Sequence, residues 1–156
     1  MNSGIDILPT LFACAGVETP KKLSGCNLMP LALGKKVAEW RDHIVVENNM
    51  SQTGMVDGIK PRMEGRMVRT DRFKYCVYTH GVRRESLVDL QNDPGETNDL
   101  AADPKYRDIL LRHRQLLSRF GTEHNDAMVS EILADDVKPN PFRADAARSV
   151  PMSSQD

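Results

Sequence analysis

The chain has no apolar run approaching the ~20 residues that a helix needs to cross a bilayer, so no membrane partner is expected. It has almost no net charge. Twenty-one Lys and Arg stand against 22 Asp and Glu, a balance that selects neither a polyanionic nor a polycationic partner. Cysteine is sparse: Cys14, Cys26 and Cys76 are an odd number with no metal-type spacing. All three sit among apolar neighbours, and buried free thiols are expected. The first residues, Met1-Asn2-Ser3-Gly4, lack the basic region of a secretory leader, and Asp6 and Pro9 interrupt the apolar stretch that follows. Internal repeats are absent. What remains is ordinary: 156 residues, 40% hydrophobic and 28% charged, enough for one domain with a real core.

Periodicity places the elements. Ile7, Leu8, Leu11, Phe12 and Ala15 recur on one helical face, predicting a helix from about Asp6 to Ala15. Asp6 is the expected cap and Gly16 the left-handed stop. Residues 17–36 are rich in breakers and read as an extended connection, with a helical turn near Leu28 to Leu33. Four short strands are then predicted: His43 to Glu47, Arg66 to Thr70, Phe73 to Thr79 and Ser86 to Leu90. Asp71-Arg72 is a link of hairpin length, and Thr79-His80-Gly81 closes the next turn. Between strand and helix lies Asn92-Asp93-Pro94-Gly95-Glu96, whose residue types favour a tight turn. A long helix should follow, capped by Asp103, entered through Pro104 and stopped by Gly121, with Tyr106, Ile109, Leu110, His113, Leu117 and Phe120 on its apolar face. A short helix over Ala127 to Leu133 precedes a Pro-rich tail. The fold class is therefore α+β: a small antiparallel sheet of about four strands with a C-terminal helix packed on it.

Candidate chemistry is thin. From Lys60 to Arg84 there are eight Lys and Arg against Glu64 and Asp71, while Glu85 to Asp108 holds seven acidic residues against two basic. The basic stretch could face an anionic substrate, since the guanidinium fork suits oxyanions. It could stack bases through Tyr75 and Tyr78, or simply be a solvated face that partners the acidic turn; the last reading is the simplest, and no nucleic-acid partner is expected. Arg69 is the expected ion-pair partner of the turn, and Arg66 and His80, near strand ends, are the candidates for substrate contact. Asp89, Asp93, Glu96 and Asp99 lack the ligand spacing of a calcium loop, so they are expected to bond backbone N–H groups. Asp135-Asp136 reads as a solvated acidic turn. His113, on the apolar helix face, is expected to be a hydrogen-bonded core residue. No metal ligand is assigned.

The segments have a familiar order. Glu85 to Ala101, ESLVDLQNDPGETNDLA, resembles the "L-Y-D-L-x-x-D-P-x-E-x-x-N-L-A" run near the C-terminus of type I sulfatases. Ser3 to Gly16 is similar to "D-I-L-P-T-L-L-x-x-A-G", and Gly25 to Gly34 to "G-x-S-L-x-P-L-L-x-G", with Asn27 where Ser is commoner. Trp40 to Glu47 resembles "W-R-D-x-V-x-x-E". Gly65 to Thr70 with Phe73-Lys74-Tyr75 resembles "R-x-V-R-T-x-R-Y-K-Y". The likeness covers roughly residues 3 to 125.

That resemblance implies the C-terminal portion of a formylglycine-dependent sulfatase. Residues 1–36 would close the α/β catalytic domain, 37–125 would form the C-terminal subdomain, and 126–156 a tail. It implies hydrolysis of a sulfate ester, with a sulfated small molecule or sugar as substrate and calcium or magnesium in the full enzyme. None of Cys14, Cys26 and Cys76 begins the C-x-P-S-R-like sequence that gives the nucleophile, so the chain alone is expected to be inactive and to need the catalytic part as partner. The first helix would then lack its sheet, and its apolar residues could drive self-association. Two alternatives remain: a stand-alone binding module, and a related phosphoester or phosphonate hydrolase of the alkaline-phosphatase superfamily.

Overall fold

The computed structural model describes residues 1–50, 63–79 and 83–134. His80, Asp135-Asp136 and the Pro-rich tail lie outside the described residues. The chain divides into two compact units, Met1–Ile44 and Val45–Asp156.

In the first unit a 3-10 turn, Gly4–Asp6, leads into helix α1, Ile7–Cys14, and a connection carries a second helical turn, α2, Met29–Ala32. Gly16 takes the left-handed conformation (φ +67°) and ends α1 as expected. Asp6 does not cap α1 through its side chain. Its carboxylate turns the other way, accepting Ser3 N–H (2.7 Å) and Cys26 N–H (2.8 Å) and pairing with Arg41 Nη2 (2.6 Å). Thr10 completes this inner side: its hydroxyl donates to Asp6 O (2.6 Å) and accepts Leu28 N–H (2.9 Å). Pro9, Thr10 and Ala13 therefore face the connection, while Ile7, Leu8, Leu11, Cys14 and Ala15 are exposed. The periodic apolar face is real, and it points outward. Cys14 and Cys26 are accordingly exposed, contrary to expectation, because an eight-residue helix and a loop enclose too little volume to cover them; Cys76 is buried.

A four-stranded sheet, in the second unit but for the first two residues of β1, has the order β1-β2-β3-β4, from β1 (His43–Met50), β2 (Met63–Thr70), β3 (Phe73–Tyr78) and β4 (Glu85–Asp89). The β2–β3 pair is antiparallel and turns tightly, with Arg69 opposite Lys74 and Val68 opposite Tyr75; β3 and β4 pair antiparallel with Tyr75 opposite Leu87. Alternation sends Val68, Tyr75, Val77 and Leu87 to one face. There they join Leu116 and Leu117 of α3 (Arg107–His124) and Met128, Val129 and Ile132 of α4 (Ala127–Leu133). Val68, Tyr75, Val77, Leu87 and Leu117 are fully enclosed, each worth roughly 1.5–3 kcal/mol relative to exposure.

Asp103 caps the entry to α3 by accepting Lys105 N–H (2.9 Å), although the first three residues, Pro104–Tyr106, form a 3-10 turn. Gly121 is not the stop. It lies inside α3, buried, and a Cβ there would meet Val129 Cβ at 2.7 Å. The glycine is a notch that lets α4 approach. The helix ends instead at Asn125, in the left-handed region (φ 54°, ψ 38°). His113 is buried as expected, its Nδ1 2.8 Å from Ile109 O and its Nε2 3.3 Å from Thr70 Oγ1.

Beyond β4 the chain comes back alongside it. Leu100 N–H donates to Leu87 O (2.8 Å), and Leu87 N–H donates to Asp99 Oδ1 (3.0 Å). No helix among the described residues is long and apolar enough to cross a membrane.

Candidate functional site

The acidic segment that starts at the last residue of β4 holds one dense cluster of side-chain contacts in the second unit. Asp89, the last residue of β4, accepts a two-pronged grip from Arg72, Nε to Oδ1 at 3.0 Å and Nη2 to Oδ2 at 2.7 Å. It also accepts Asn92 Nδ2 (2.8 Å) and Gln91 N–H (3.2 Å). The Arg72 bonds foremost hold its pKa down to about 2. The guanidinium lies 5.0 Å from the centre of the Phe73 ring. Arg69, the expected partner of the turn, is exposed, and Arg72 takes the role because it sits at the hairpin apex beside the end of β4.

Asp93 accepts Asn98 N–H (2.8 Å) and the Thr97 hydroxyl (3.0 Å), and the backbone bond to Asn98 leads in holding it ionised. Lys74 pairs with Glu96, and Asp99 Oδ1 accepts N–H groups from Leu87 and Ala101. The four carboxylates thus serve backbone amides, a hydroxyl and two cations. They fold the segment rather than present oxygens to an ion. Among the described residues no group of three or more His, Cys, Asp or Glu side chains could hold a metal.

A second cluster lies under α3. Glu85, opening β4, is gripped by Arg114 and accepts the Tyr75 hydroxyl. Burial works to raise the Glu85 pKa, but the bonds from Arg114 and Tyr75 outweigh it and the net direction is down. Burial leads in pushing the Tyr75 phenol far up, helped by the neighbouring carboxylate. The group anchors helix to strand, with its carboxylate held ionised and its phenol held protonated near neutral pH.

Arg66 has the same structural character. Its side chain is 5% exposed, with Nε and Nη2 on Asp126 (2.7 and 3.0 Å) and Nη1 on Gly65 O (2.9 Å). Asp126 in turn caps α4 by accepting Met128 N–H (3.2 Å). The guanidinium is a strap between β2 and α4, its donors committed inside the protein. His80 lies outside the described residues. Reading the sequence alone missed Asp126, Arg114 and Asp6 as partners. Asp126 carried one usable signal, its place immediately before a helix; the other pairs join residues 29 and 35 positions apart, and nothing local marks them.

Comparison with known proteins identifies this assembly. Residues 1–123 match the family described as "N-sulphoglucosamine sulphohydrolase, C-terminal". Over 122 residues the chain is 38% identical to a Delta 4,5-hexuronate-2-O-sulfatase of Bacteroides thetaiotaomicron, a match covering 78% of this chain and 24% of the relative. The structure of a 2-O GAG sulfatase superposes with a TM-score of 0.67 at 34% identity, over 88% of this chain and 27% of that one. A phosphonate monoester hydrolase of Agrobacterium radiobacter superposes at 0.60 with 27% identity, over 76% and 24%. The chain spans about a quarter of the length of the curated relatives it matches.

Proposed function

The chain belongs to the N-sulphoglucosamine sulphohydrolase C-terminal family, and we propose that it serves as the C-terminal domain of a longer enzyme that hydrolyses sulfate esters on an acidic sugar. The observation that carries this reading is the family match across residues 1–123, joined to likeness in sequence and in structure to sulfatases named for a 2-O position. Sulfate-ester hydrolysis calls for a nucleophile and for cations that offset charge on the sulfate oxygens. The calcium or magnesium of such enzymes would be hard-cation chemistry needing several oxygen ligands. The described residues of this chain do not fit that demand: their carboxylates are folded into ion pairs and turns. The nucleophile and metal ligands would reside in the preceding catalytic part.

This chain's own contribution is scaffolding. The Arg72–Asp89 and Arg114–Glu85 pairs fix where β4 leaves the sheet and where α3 lies on it. Arg66 is committed to Asp126, which leaves His80 as the expected substrate contact to test. In the longer enzyme His80→Ala should raise KM for a sulfated disaccharide several-fold with little change in kcat, whereas Arg66→Ala should act through stability.

The phosphonate monoester hydrolase likeness favours a second reading, in which the same scaffold supports phosphonate or phosphate ester cleavage. The deciding experiment assays the longer protein with 2-O-sulfated unsaturated disaccharides, an aryl sulfate and a phosphonate monoester, and assays the 156-residue chain with the same three. Sulfate release by the longer protein alone is expected. Faster turnover of the phosphonate would replace the sulfatase reading, and metal-dependent turnover by the chain alone would overturn the division of labour.

A further inference from the structure

One side of α3 is shared between a helix and a groove. Arg107, Arg114 and Gly121 recur every seven residues and so lie along that side. At Gly121 it is covered by α4, whose Val129 fills the notch. Toward the start of α3 a groove of about 270 Å³ runs between residues 101–104 and a wall of Arg107, Leu110, Leu111 and Arg114. Leu111 is 40% exposed there. Arg114 is committed to Glu85, and Asp103, the carboxylate on the opposite wall, to Lys105 N–H. The exposed Arg107 guanidinium has no partner among the described residues. It stands in the first turn of α3, where the helix dipole favours an anion over a cation. The groove thus asks for a carboxylate beside an aliphatic group.

We propose that this groove is the docking site of the chain's own residues 135–142, DDVKPNPF. The place where the chain leaves α4 selects that occupant. Ala134 closes α4 with extended backbone (φ −64°, ψ 135°), and Arg84 Nη1 donates to Ile132 O at 3.1 Å. The next residue, Glu85, is the one that Arg114 grips. The exit from α4 therefore lies beside the Arg114 end of the groove. From Arg114 to Arg107 is about 10 Å of helix, which three extended residues span. Asp135-Asp136-Val137 brings two carboxylates to Arg107 and an isopropyl group to Leu111. Pro139 and Pro141 bias the residues before them to extended backbone, so docking costs less order. Size argues against a second copy: eight lining residues fall well short of the roughly 20–30 a side of a stable association between separate proteins. A tethered segment, at millimolar effective concentration, escapes that demand. The inference uses the second unit alone and stands whether or not the longer protein is a sulfatase.

A protease that cuts before aspartate reads the docking directly. Asp135 and Asp136 lie in the docked segment, and Asp145 lies beyond it as an internal control. Cleavage of the 156-residue chain is followed by mass spectrometry, each site being referred to its rate in a synthetic peptide of the same sequence. Cutting before Asp135 and Asp136 requires undocking, so Arg107→Ser combined with Leu111→Ser should speed it about fivefold or more while Asp145 keeps its rate. Both positions are exposed, and circular dichroism checks that the variant keeps its helices. Val137→Ser, which leaves the groove intact, should release the same two sites, and it keeps the test standing if the double variant fails to fold. Unchanged rates before Asp135 and Asp136 in both variants would overturn the proposal. So would protection that fades on dilution, which would give the groove to the same segment of a second copy. Protection found in the longer protein and missing from the 156-residue chain would likewise overturn it, assigning the cover to the preceding portion.

Discussion

Arg72, at the apex of the β2–β3 hairpin, grips Asp89 at the far end of β4 through two parallel bonds of 3.0 and 2.7 Å. The pair closes the sheet at the point where the chain departs for α3. Asp89 is ionised in the fold well below its ordinary value of 3.8, down to about 2. A carboxylate with a depressed pKa contributes stability that is present above its unfolded value and lost as pH falls through the folded one. Urea unfolding of wild type and Asp89→Asn should therefore show a gap at neutral pH that starts to close below about 4 and is gone near 2. A gap undiminished at the acid end would show that the carboxylate's charge is irrelevant.

Gly121→Ala sets two effects against each other. Alanine gains up to about 1 kcal/mol of helix propensity, but its Cβ would lie 2.7 and 2.8 Å from two carbons of Val129, and overpacking costs roughly 1–3 kcal/mol. Packing should win, with a net loss of about 1 kcal/mol in chemical denaturation. Combining it with Val129→Ala should be less damaging than the sum of the single losses. Additive losses would mean that the notch is not where the helices meet.

Asn125 ends α3 at φ 54°. Asn125→Gly should raise the thermal midpoint slightly, and Asn125→Ala should cost about 1 kcal/mol because a β-carbon is strained there. The order glycine, asparagine, alanine is the test, and alanine matching glycine would refute it.

Arg66→Met leaves Asp126 with its charge, mostly enclosed and without its guanidinium. Removing one member of a buried pair costs about 3–5 kcal/mol when burial is complete; Asp126 keeps some solvent, so about 2 kcal/mol is expected. Adding Asp126→Asn should recover part of it, since the amide can still cap α4 without an unpaired charge. A loss confined to substrate affinity, with stability intact, would make Arg66 a binding residue.

The sheet was legible because its information is local. Alternating residues, the two-residue Asp71-Arg72 link and the Asp-Pro-Gly turn each act within a few positions, and the strands form where those signals lie. The entry of α3 was legible for the same reason, through Asp103 and Pro104. What failed depended on partners distant in sequence. Gly121 looks like a stop until Val129 is packed against it, and Arg69 looks like the partner of the turn until the hairpin apex places Arg72 beside Asp89. The apolar face of α1 was legible as well: periodicity located it, and Ile7, Leu8 and Leu11 are exposed as expected of a helix without its sheet, because an apolar face marks where a neighbour belongs and does not say that this stretch of chain contains it.

The return of the chain beside β4 has a consequence for assembly. A strand with free N–H and C=O groups at the margin of a sheet is a template for recruiting other chains. At Leu87 both groups are already engaged, the carbonyl by Leu100 and the amide by the carboxylate of Asp99. The segment that carries the family signature is thus also a gatekeeper against strand addition, occupying the backbone groups at Leu87 that a further strand would pair with.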